Sequence, residues 1–168
     1  MKKLFILFIA VVGFGVSSFA QLNATASSTA TIVTPLKIVK ATDMNFGTVA
    51  VDAVTDGTVI LATAGTRTFT AGAQIVPAIA TATAASFTVT GQGAYTYAIT
   101  LPASAITLDD GSGHTMSVDT FVSDPSGTGA LTAGTQTINV GATLHVTHAQ
   151  VAGVYTNASS LNVTVAYN

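Results

Sequence analysis

The chain has 168 residues and few charges: five Lys and Arg, seven Asp, no Glu, and a formal net charge of −2. So few cations exclude a protein that neutralises a nucleic-acid backbone, because that task needs clustered Lys and Arg. The sequence contains no Cys. We therefore expect no disulfide framework, no zinc site built on thiolates and no lipoprotein anchor.

The first twenty residues have the layout of a secretory signal peptide. Lys2 and Lys3 give a positive start, residues 4–16 form an uncharged run, and Ala20 ends a small-residue cleavage motif. The run is shorter than the roughly 20 residues that a membrane-spanning helix needs. We therefore predict residues 1–20 to be a cleaved signal peptide, and an exported mature chain, 21–168, without a transmembrane segment.

The composition of the remaining chain favours strands. Thr, Val and Ala are abundant, whereas the Glu, Lys and Arg that usually cover helix surfaces are absent or scarce. Side chains branched at Cβ fit a pleated sheet. A charged fraction of 7% is low for the surface of a soluble monomer. Either neighbouring molecules cover this surface, or the protein works where solubility is not the main demand.

Alternation of apolar and polar residues recurs along the chain, and turn residues interrupt it about every ten positions. The strands that this pattern predicts are residues 32–39 (interrupted by Pro35), 44–51, 58–61, 67–70, 86–90, 95–101, 106–108, 116–122, 137–147 and 161–167. Residues 109–113 predict a hairpin turn, and Gly141 predicts a kink or bulge. No stretch keeps the apolar spacing of a long helix. We expect an all-β fold, with residues 21–168 forming a single antiparallel β-sandwich domain.

The residues able to carry chemistry are few and unsuitably spaced. His145 and His148 are three positions apart on a predicted strand, so they would face opposite sides and could not share a metal ion. Asp109 and Asp110 are adjacent and lack the alternate spacing of a calcium loop. No Gly-x-Ser-x-Gly elbow for a nucleophile is present. We therefore predict no catalytic residue, no metal site and no cofactor, and we do not expect an enzyme.

Several short strings resemble those of known bacterial surface proteins. Residues 161–168 read LNVTVAYN, and residues 152–155 before them read AGVY. This alternating end with a penultimate tyrosine resembles the carboxyl ends of chaperone–usher pilins. Together with residues 30–36 (ATIVTPL), 44–49 (MNFGTV) and 141–144 (GATL), it resembles a family of secreted bacterial domains of unknown function. That family is similar to fimbrial major subunits of the Mat/Ecp type, and the resemblance covers nearly all of the mature chain.

The resemblance implies a pilin-like, immunoglobulin-like sandwich that serves as a structural subunit of a bacterial surface fibre. Assembly would proceed by β-strand complementation, in which a segment of one subunit pairs with the exposed strand edge of another. The partners that it implies are further copies or other fimbrial subunits, a periplasmic chaperone and an outer-membrane usher. It places the protein at the cell surface or outside the cell, reached through the periplasm. One departure is the absence of the disulfide that many classical pilins carry.

Residues 21–32 suit the role of donor strand, because alternate positions from Leu22 to Ile32 are apolar except Ser28. The assembly residues that we predict are Leu22, Ala24, Ala26, Ala30 and Ile32 in this segment, and Leu161, Val163, Val165 and Tyr167 in the final strand. Alanine buries little apolar area. The same segment could therefore equally be the first strand of a self-complete domain, and the sequence leaves both open.

A second interpretation is a secreted or surface-attached β-sandwich that binds a sugar or a host protein and does not polymerise. Exposed aromatic side chains on one face would support such a binding and adhesion module. The candidates are Tyr95, Tyr97 and Tyr155, of which the first two share a strand face that could be core. The sequence decides neither polymerisation nor the target of any adhesion.

Overall fold

The computed structural model describes residues 22–76, 81–157 and 161–168; the predicted signal peptide and Gln21 lie outside these ranges. No helix in these ranges is long and apolar enough to cross a membrane. The strands are β1 (Lys37–Thr42), β2 (Val49–Val51), β3 (Gly57–Leu61), β4 (Arg67–Ala71), β5 (Ala73–Ile75), β6 (Ala85–Thr90), β7 (Thr96–Thr100), β8 (Ile106–Asp109), β9 (Thr115–Asp124), β10 (Thr128–Ala130), β11 (Thr135–Val146) and β12 (Thr164–Tyr167). All of their pairings are antiparallel, which confirms the predicted all-β class.

The largest sheet is organised around β11, the longest strand. One edge of β11 pairs with β6 over residues 135–140 and then with β3 over residues 142–146, while β9 pairs with the other edge. β1, β4 and β8 extend the sheet to seven strands, which curl into a half-barrel. The change of neighbour falls at Gly141, where a Cβ would lie 2.2 Å from the carbonyl oxygen of Leu61. Only glycine allows so close an approach, and the predicted irregularity at this position is confirmed.

Two smaller sheets complete the fold, and each contributes side chains to one cluster of buried residues. The three-stranded sheet β10-β7-β12 packs on the first core cluster. That cluster consists of Ala85, Phe87, Val89, Tyr97, Ile99, Leu131, Ile138, Val140 and Val163. The second core cluster lies against the later half of β11, where the two-stranded sheet β2-β5 contributes Ala73. Its members are Phe46, Val59, Leu61, Ala73, Val118, Ala142, Leu144 and Val146.

Two boundaries differ from the sequence prediction for local reasons. The strand expected over residues 32–39 begins only at Lys37, because Pro35 has no N–H to donate and restricts the backbone before it. The strand expected over residues 44–51 is reduced to β2. Gly47 has a φ of 68°, and its N–H donates to the side chain of Asn45, which makes a turn there instead.

Residues 22–32 belong to a unit separate from the one that begins at Val33. None of these eleven residues is in a strand, and all of them are exposed. The two large apolar side chains at its ends, Leu22 and Ile32, are each 95% exposed. This segment thus carries the alternation of a strand without being paired as one.

Candidate assembly site

The final strand, β12, is an edge strand. Thr164–Tyr167 pairs with Tyr97–Thr100 of β7, whose other edge is occupied by β10. Among the described residues, no strand pairs with the outer edge of β12, and none pairs with the outer edge of β1. Both strands therefore present backbone groups along which a further strand could add.

The strand expected over residues 161–167 begins only at Thr164, but the alternation of side chains between core and solvent extends back to Leu161. Val163 is 6% exposed and belongs to the first core cluster. Leu161, Val165 and Tyr167 are half-buried and pack against the same cluster. The intervening side chains Asn162, Thr164 and Ala166 are exposed. The structure thus brings the four predicted carboxyl-terminal assembly residues onto one apolar face.

Half-buried side chains from the start of β1 border this face. Leu36 and Ile38 pack against the first core cluster and remain partly accessible, like their counterparts in the final strand. We call this set the β1–β12 margin; its members are Leu36, Ile38, Leu161, Val165 and Tyr167. The margin is an apolar border of the core that the chain's own strands cover only in part.

Tyr167 fixes the end of the margin. Its hydroxyl donates to the carbonyl oxygen of Thr34 at 2.7 Å and accepts from the backbone N–H of Gln92 at 2.6 Å. Its ring meets the ring of Tyr95 edge-on, with centroids 5.7 Å apart. Both hydrogen-bonding capacities of the phenol are therefore used while the ring stays against apolar groups. The penultimate tyrosine locks β12 to the chain that leads into β1.

The five predicted donor residues belong to the other unit of the chain. Leu22, Ala24, Ala26, Ala30 and Ile32 are all in the separate, exposed segment 22–32. The structure therefore gathers the carboxyl-terminal half of the predicted assembly set at one place, and it leaves the amino-terminal half unpaired as strand.

Of the tyrosines considered for a binding face, only some are accessible. Tyr97 is wholly buried in the first core cluster, where its hydroxyl donates to the side-chain oxygen of Gln136 at 2.7 Å and burial raises its pKa. Tyr155 is partly buried and donates to the carbonyl oxygen of Val151 at 2.7 Å. The partly exposed Tyr95 packs on Tyr167. These aromatic rings do not form the single exposed face that a binding module would use.

Each of the three histidines lies against an aspartate, an arrangement that sequence reasoning missed. The closest ring-nitrogen to carboxylate distances are 2.7 Å for His114–Asp110, 2.9 Å for His145–Asp119 and 2.7 Å for His148–Asp56. The last pair joins residues 92 positions apart, so no local pattern could have predicted it. His145 and His148 have different partners. Within the described ranges, no group of three or more His, Asp or Glu side chains could hold a metal ion.

These contacts lower the pKa of all three carboxyl groups. For Asp110 and Asp119, the hydrogen bond from the ring of the paired histidine is the largest cause of the lowered pKa. For Asp56 the largest cause is the backbone N–H of His148, followed by its ring. A carboxylate that accepts hydrogen bonds is stabilised in its charged form. The arrangement braces loops and strands, and it offers no nucleophile with an oriented base.

Comparison with known proteins places the margin inside a recognised domain. A family model described as a domain of unknown function, DUF4402, matches residues 36–167, more than three quarters of the chain. Searches of curated proteins and of solved structures found no match. The matched region begins at Leu36 and ends at Tyr167, so it contains the whole β1–β12 margin and excludes the segment 22–32. The chain belongs to the DUF4402 family of domains of unknown function.

Proposed function

We propose that this protein is a structural subunit of a bacterial surface fibre and that its subunits join by β-strand complementation. The observation that carries the proposal is the outer edge of β12, which no described strand occupies, beside the half-buried β1–β12 margin. An exposed strand edge next to apolar side chains is costly in water and invites a further strand. A strand added there would gain backbone hydrogen bonds and bury apolar area, worth about 25 cal/mol per Å².

The donor in this proposal is residues 22–32 of a second copy. The segment contains no charged residue, and its alternation puts five apolar side chains on one face. Leu22 and Ile32 are nearly fully exposed, so they have apolar area left to bury. The alanines between them would allow close approach to the margin but contribute little area each.

The finer architecture belongs to the same proposal. β1, β6 and the first half of β11 face β10, β7 and β12 across the first core cluster, which supports an immunoglobulin-like, pilin-like sandwich. The signal-peptide pattern supports export through the periplasm to the cell surface. A periplasmic chaperone would protect the same margin before assembly, and an outer-membrane usher would be the assembly platform. No described cluster supports catalysis, so the role that we propose is structural.

The proposal is tested by assembly of the exported protein. Purified wild-type protein should form filaments in electron micrographs, and its oligomers should grow with concentration in size-exclusion chromatography. Deletion of residues 21–29 should leave a folded monomer that no longer polymerises but binds a synthetic peptide of residues 22–32. A compact wild-type monomer at every concentration would remove the fibre proposal and leave a non-polymerising binding module as the better interpretation.

A further inference from the structure

We infer that the end of the domain opposite Tyr167 is a contact surface for a second copy of this chain. The second copy contacts this surface with the Lys37 end of its β1. The surface consists of Val54, which lies between Asp52 and Asp56, and of Val151 and Val154 on the loop after β11. The inference rests on the proposed function. It adds a second interface to the strand pairing and fixes the direction in which subunits follow one another.

β11 defines the two ends, since its twelve residues span about 40 Å. At its start, Gly134 accepts a hydrogen bond from the N–H of Gly91 at 3.0 Å. Residues 91 and 92 adjoin Tyr167, so this is the Tyr167 end. At the other end, which we call the His148 end, His148 follows β11 and donates its backbone N–H to the carboxylate of Asp56.

Three loops meet at the His148 end. The N–H of Ala149 donates to the carbonyl oxygen of Asp52 at 3.0 Å, which joins the loop after β11 to the loop between β2 and β3. The side chain of Gln150 donates to the carbonyl oxygen of Thr115 at 3.3 Å. Residues 109 and 156 form an isolated bridge, which adds the turn between β8 and β9. The His148 end is therefore a connected surface of braced loops.

These loops expose large aliphatic side chains. Val54 and Val154 are each 80% exposed, and Val151 is 48% exposed. The backbone at Val54 and Val151 is held in place: the carboxylate of Asp52 accepts the N–H of Val54 at 2.8 Å, and Tyr155 donates to the carbonyl oxygen of Val151 at 2.7 Å. Apolar side chains on ordered loops can be buried by a partner at little ordering cost.

Most of the aspartates lie at one end of this axis. Four of the seven aspartates lie in the loops of the His148 end or at their borders, namely Asp52, Asp56, Asp109 and Asp110. Lys37 lies at the opposite end, where it pairs with Thr90 next to Gly91, and it makes no ion pair with any described residue. Unlike ends of two copies attract and like ends repel.

Strand direction brings these two ends together. β12 runs towards the Tyr167 end, whereas β1 runs away from it, from Lys37 opposite Thr90 to Thr42 opposite Ser86. A strand from residues 22–32 that lies antiparallel to β12 points its Ile32 towards the His148 end of the acceptor. Its eleven residues span about 36 Å, close to the length of β11. Val33 and then Lys37 of the donor therefore follow at the acceptor's His148 end.

The opposite orientation has a different outcome. A donated strand parallel to β12 would bring Ile32 to the acceptor's Tyr167 end, so that the two copies would meet with their Lys37 ends together. Such an exchange is reciprocal and closes a symmetric dimer, whereas the antiparallel one is head-to-tail and continues as a fibre. The aspartates of the His148 end and the exposed valines both favour the head-to-tail arrangement.

The test uses the full exported protein with two matched double variants at the exposed valines. Val54→Lys with Val154→Lys places cations where Lys37 of the next copy arrives, and it should raise the concentration needed for filaments by about tenfold or more. Val54→Asp with Val154→Asp removes the same apolar area but adds charges of the attracting sign, so its defect should be clearly smaller. Adding Lys37→Asp to the lysine variant should restore part of its assembly.

The readouts are sedimentation velocity, electron microscopy and binding of a peptide of residues 22–32. The lysine variant should keep its circular dichroism spectrum and its peptide binding, because its changes lie away from the β1–β12 margin. Wild-type filaments together with a lysine variant that assembles normally would overturn the end contact and leave strand complementation standing. Three other results would also overturn the end contact. The aspartate variant could be as defective as the lysine variant, the lysine variant could lose peptide binding, or the wild type could stop at a closed dimer. A wild-type protein that never associates would overturn the fibre proposal and the end contact together.

Discussion

The hydroxyl of Tyr167 donates to the carbonyl oxygen of Thr34 at 2.7 Å, which joins the last strand to the chain just before the first. The same oxygen accepts the N–H of Gln92, so one phenol satisfies backbone groups from two other segments. Gly91 allows this approach, because a Cβ there would lie 2.4 Å from the hydroxyl. The contact holds together the two edge strands between which we place the assembly site.

Removal of this hydroxyl should destabilise the domain. Tyr167→Phe keeps the ring but leaves the N–H of Gln92 and the carbonyl of Thr34 without their partner, which should lower the free energy of unfolding by about 1–3 kcal/mol. Urea denaturation followed by circular dichroism measures the change. Tyr95→Phe is the matched control, because Tyr95 contacts the same ring and no hydrogen bond of its hydroxyl occurs among the described residues. Equal stability of the two variants would contradict a role for the Tyr167 hydroxyl.

A methyl group at Gly141 should disturb the sheet at the point where β11 changes neighbour. Gly141→Ala would place Cβ 2.2 Å from the carbonyl oxygen of Leu61, so the backbones of β11 and β3 must separate. We expect a loss of at least about 2 kcal/mol in the free energy of unfolding, measured by urea denaturation. Gly93→Ala is the control, since its Cβ would have no neighbour closer than 3.6 Å. A tolerated Gly141→Ala would show that the close approach is not required.

The sequence predicts the parts of this fold that local pattern determines. Alternation predicts the inward face of the final strand, and acidic and glycine residues predict the turn between β8 and β9. β5 and β10 have three residues each, too few for alternation to be recognised. Tyr95 and Tyr97 have the spacing of one strand face, but β7 begins only at Thr96, so Tyr95 packs on Tyr167 while Tyr97 enters the core.

The candidate site is predictable only in part for the same reason. The apolar residues of the final strand can be read from its sequence, because they recur at every second position. The contribution of Leu36 and Ile38 and the contact between Tyr167 and Thr34 depend on which strands become neighbours in space. The histidine–aspartate pairs likewise arise from tertiary contacts, such as the one between Asp56 and His148.

The buried Val163 directly before β12 and the exposed Thr164 at its start should respond differently to a charge. Val163→Asp would place a carboxylate in the first core cluster, where an unpaired charge is costly, so folded protein should not accumulate. Thr164→Asp changes an exposed neighbour and should alter the free energy of unfolding by no more than about 0.5 kcal/mol. Yield of soluble protein and urea denaturation give the comparison. Similar tolerance at both positions would show that the alternation does not orient this strand.

Acid should weaken the folded state through the histidine-paired aspartates. Their pKa values are lower in the folded chain than in the unfolded chain. Their contribution to the free energy of unfolding is therefore complete above the unfolded pKa of about 3.9. The contribution is lost as the pH falls through that value towards the folded pKa. Titration of the carboxyl carbons by nuclear magnetic resonance measures each group directly.

Two histidine variants separate the causes of these lowered pKa values. His145→Ala removes the largest cause at Asp119, so the pKa of Asp119 should rise towards its ordinary value. His148→Ala keeps the backbone N–H that is the largest cause at Asp56, so the pKa of Asp56 should stay low. A full return of Asp56 to its ordinary pKa would show that the ring dominates there. Because we propose no catalytic role, replacing all three histidines should leave assembly intact apart from small changes in stability.

A charge on the donor face of residues 22–32 should stop assembly without unfolding the domain. Ala26→Asp would carry a carboxylate into the apolar margin of a neighbour, where it finds no partner, so the loss comes from burying a charge and not from lost area. Residue 26 is exposed and outside the unit that begins at Val33, so the melting temperature should be unchanged. Thr25→Asp is the matched control, because it adds the same charge one position away, on the opposite face of an extended strand.

Electron microscopy and size-exclusion chromatography should show filaments for wild type and for Thr25→Asp, and monomers for Ala26→Asp. The monomers should still bind a peptide of residues 22–32, because their own β1–β12 margin is intact. Filaments formed equally well by Ala26→Asp would show that this segment is not the donated strand.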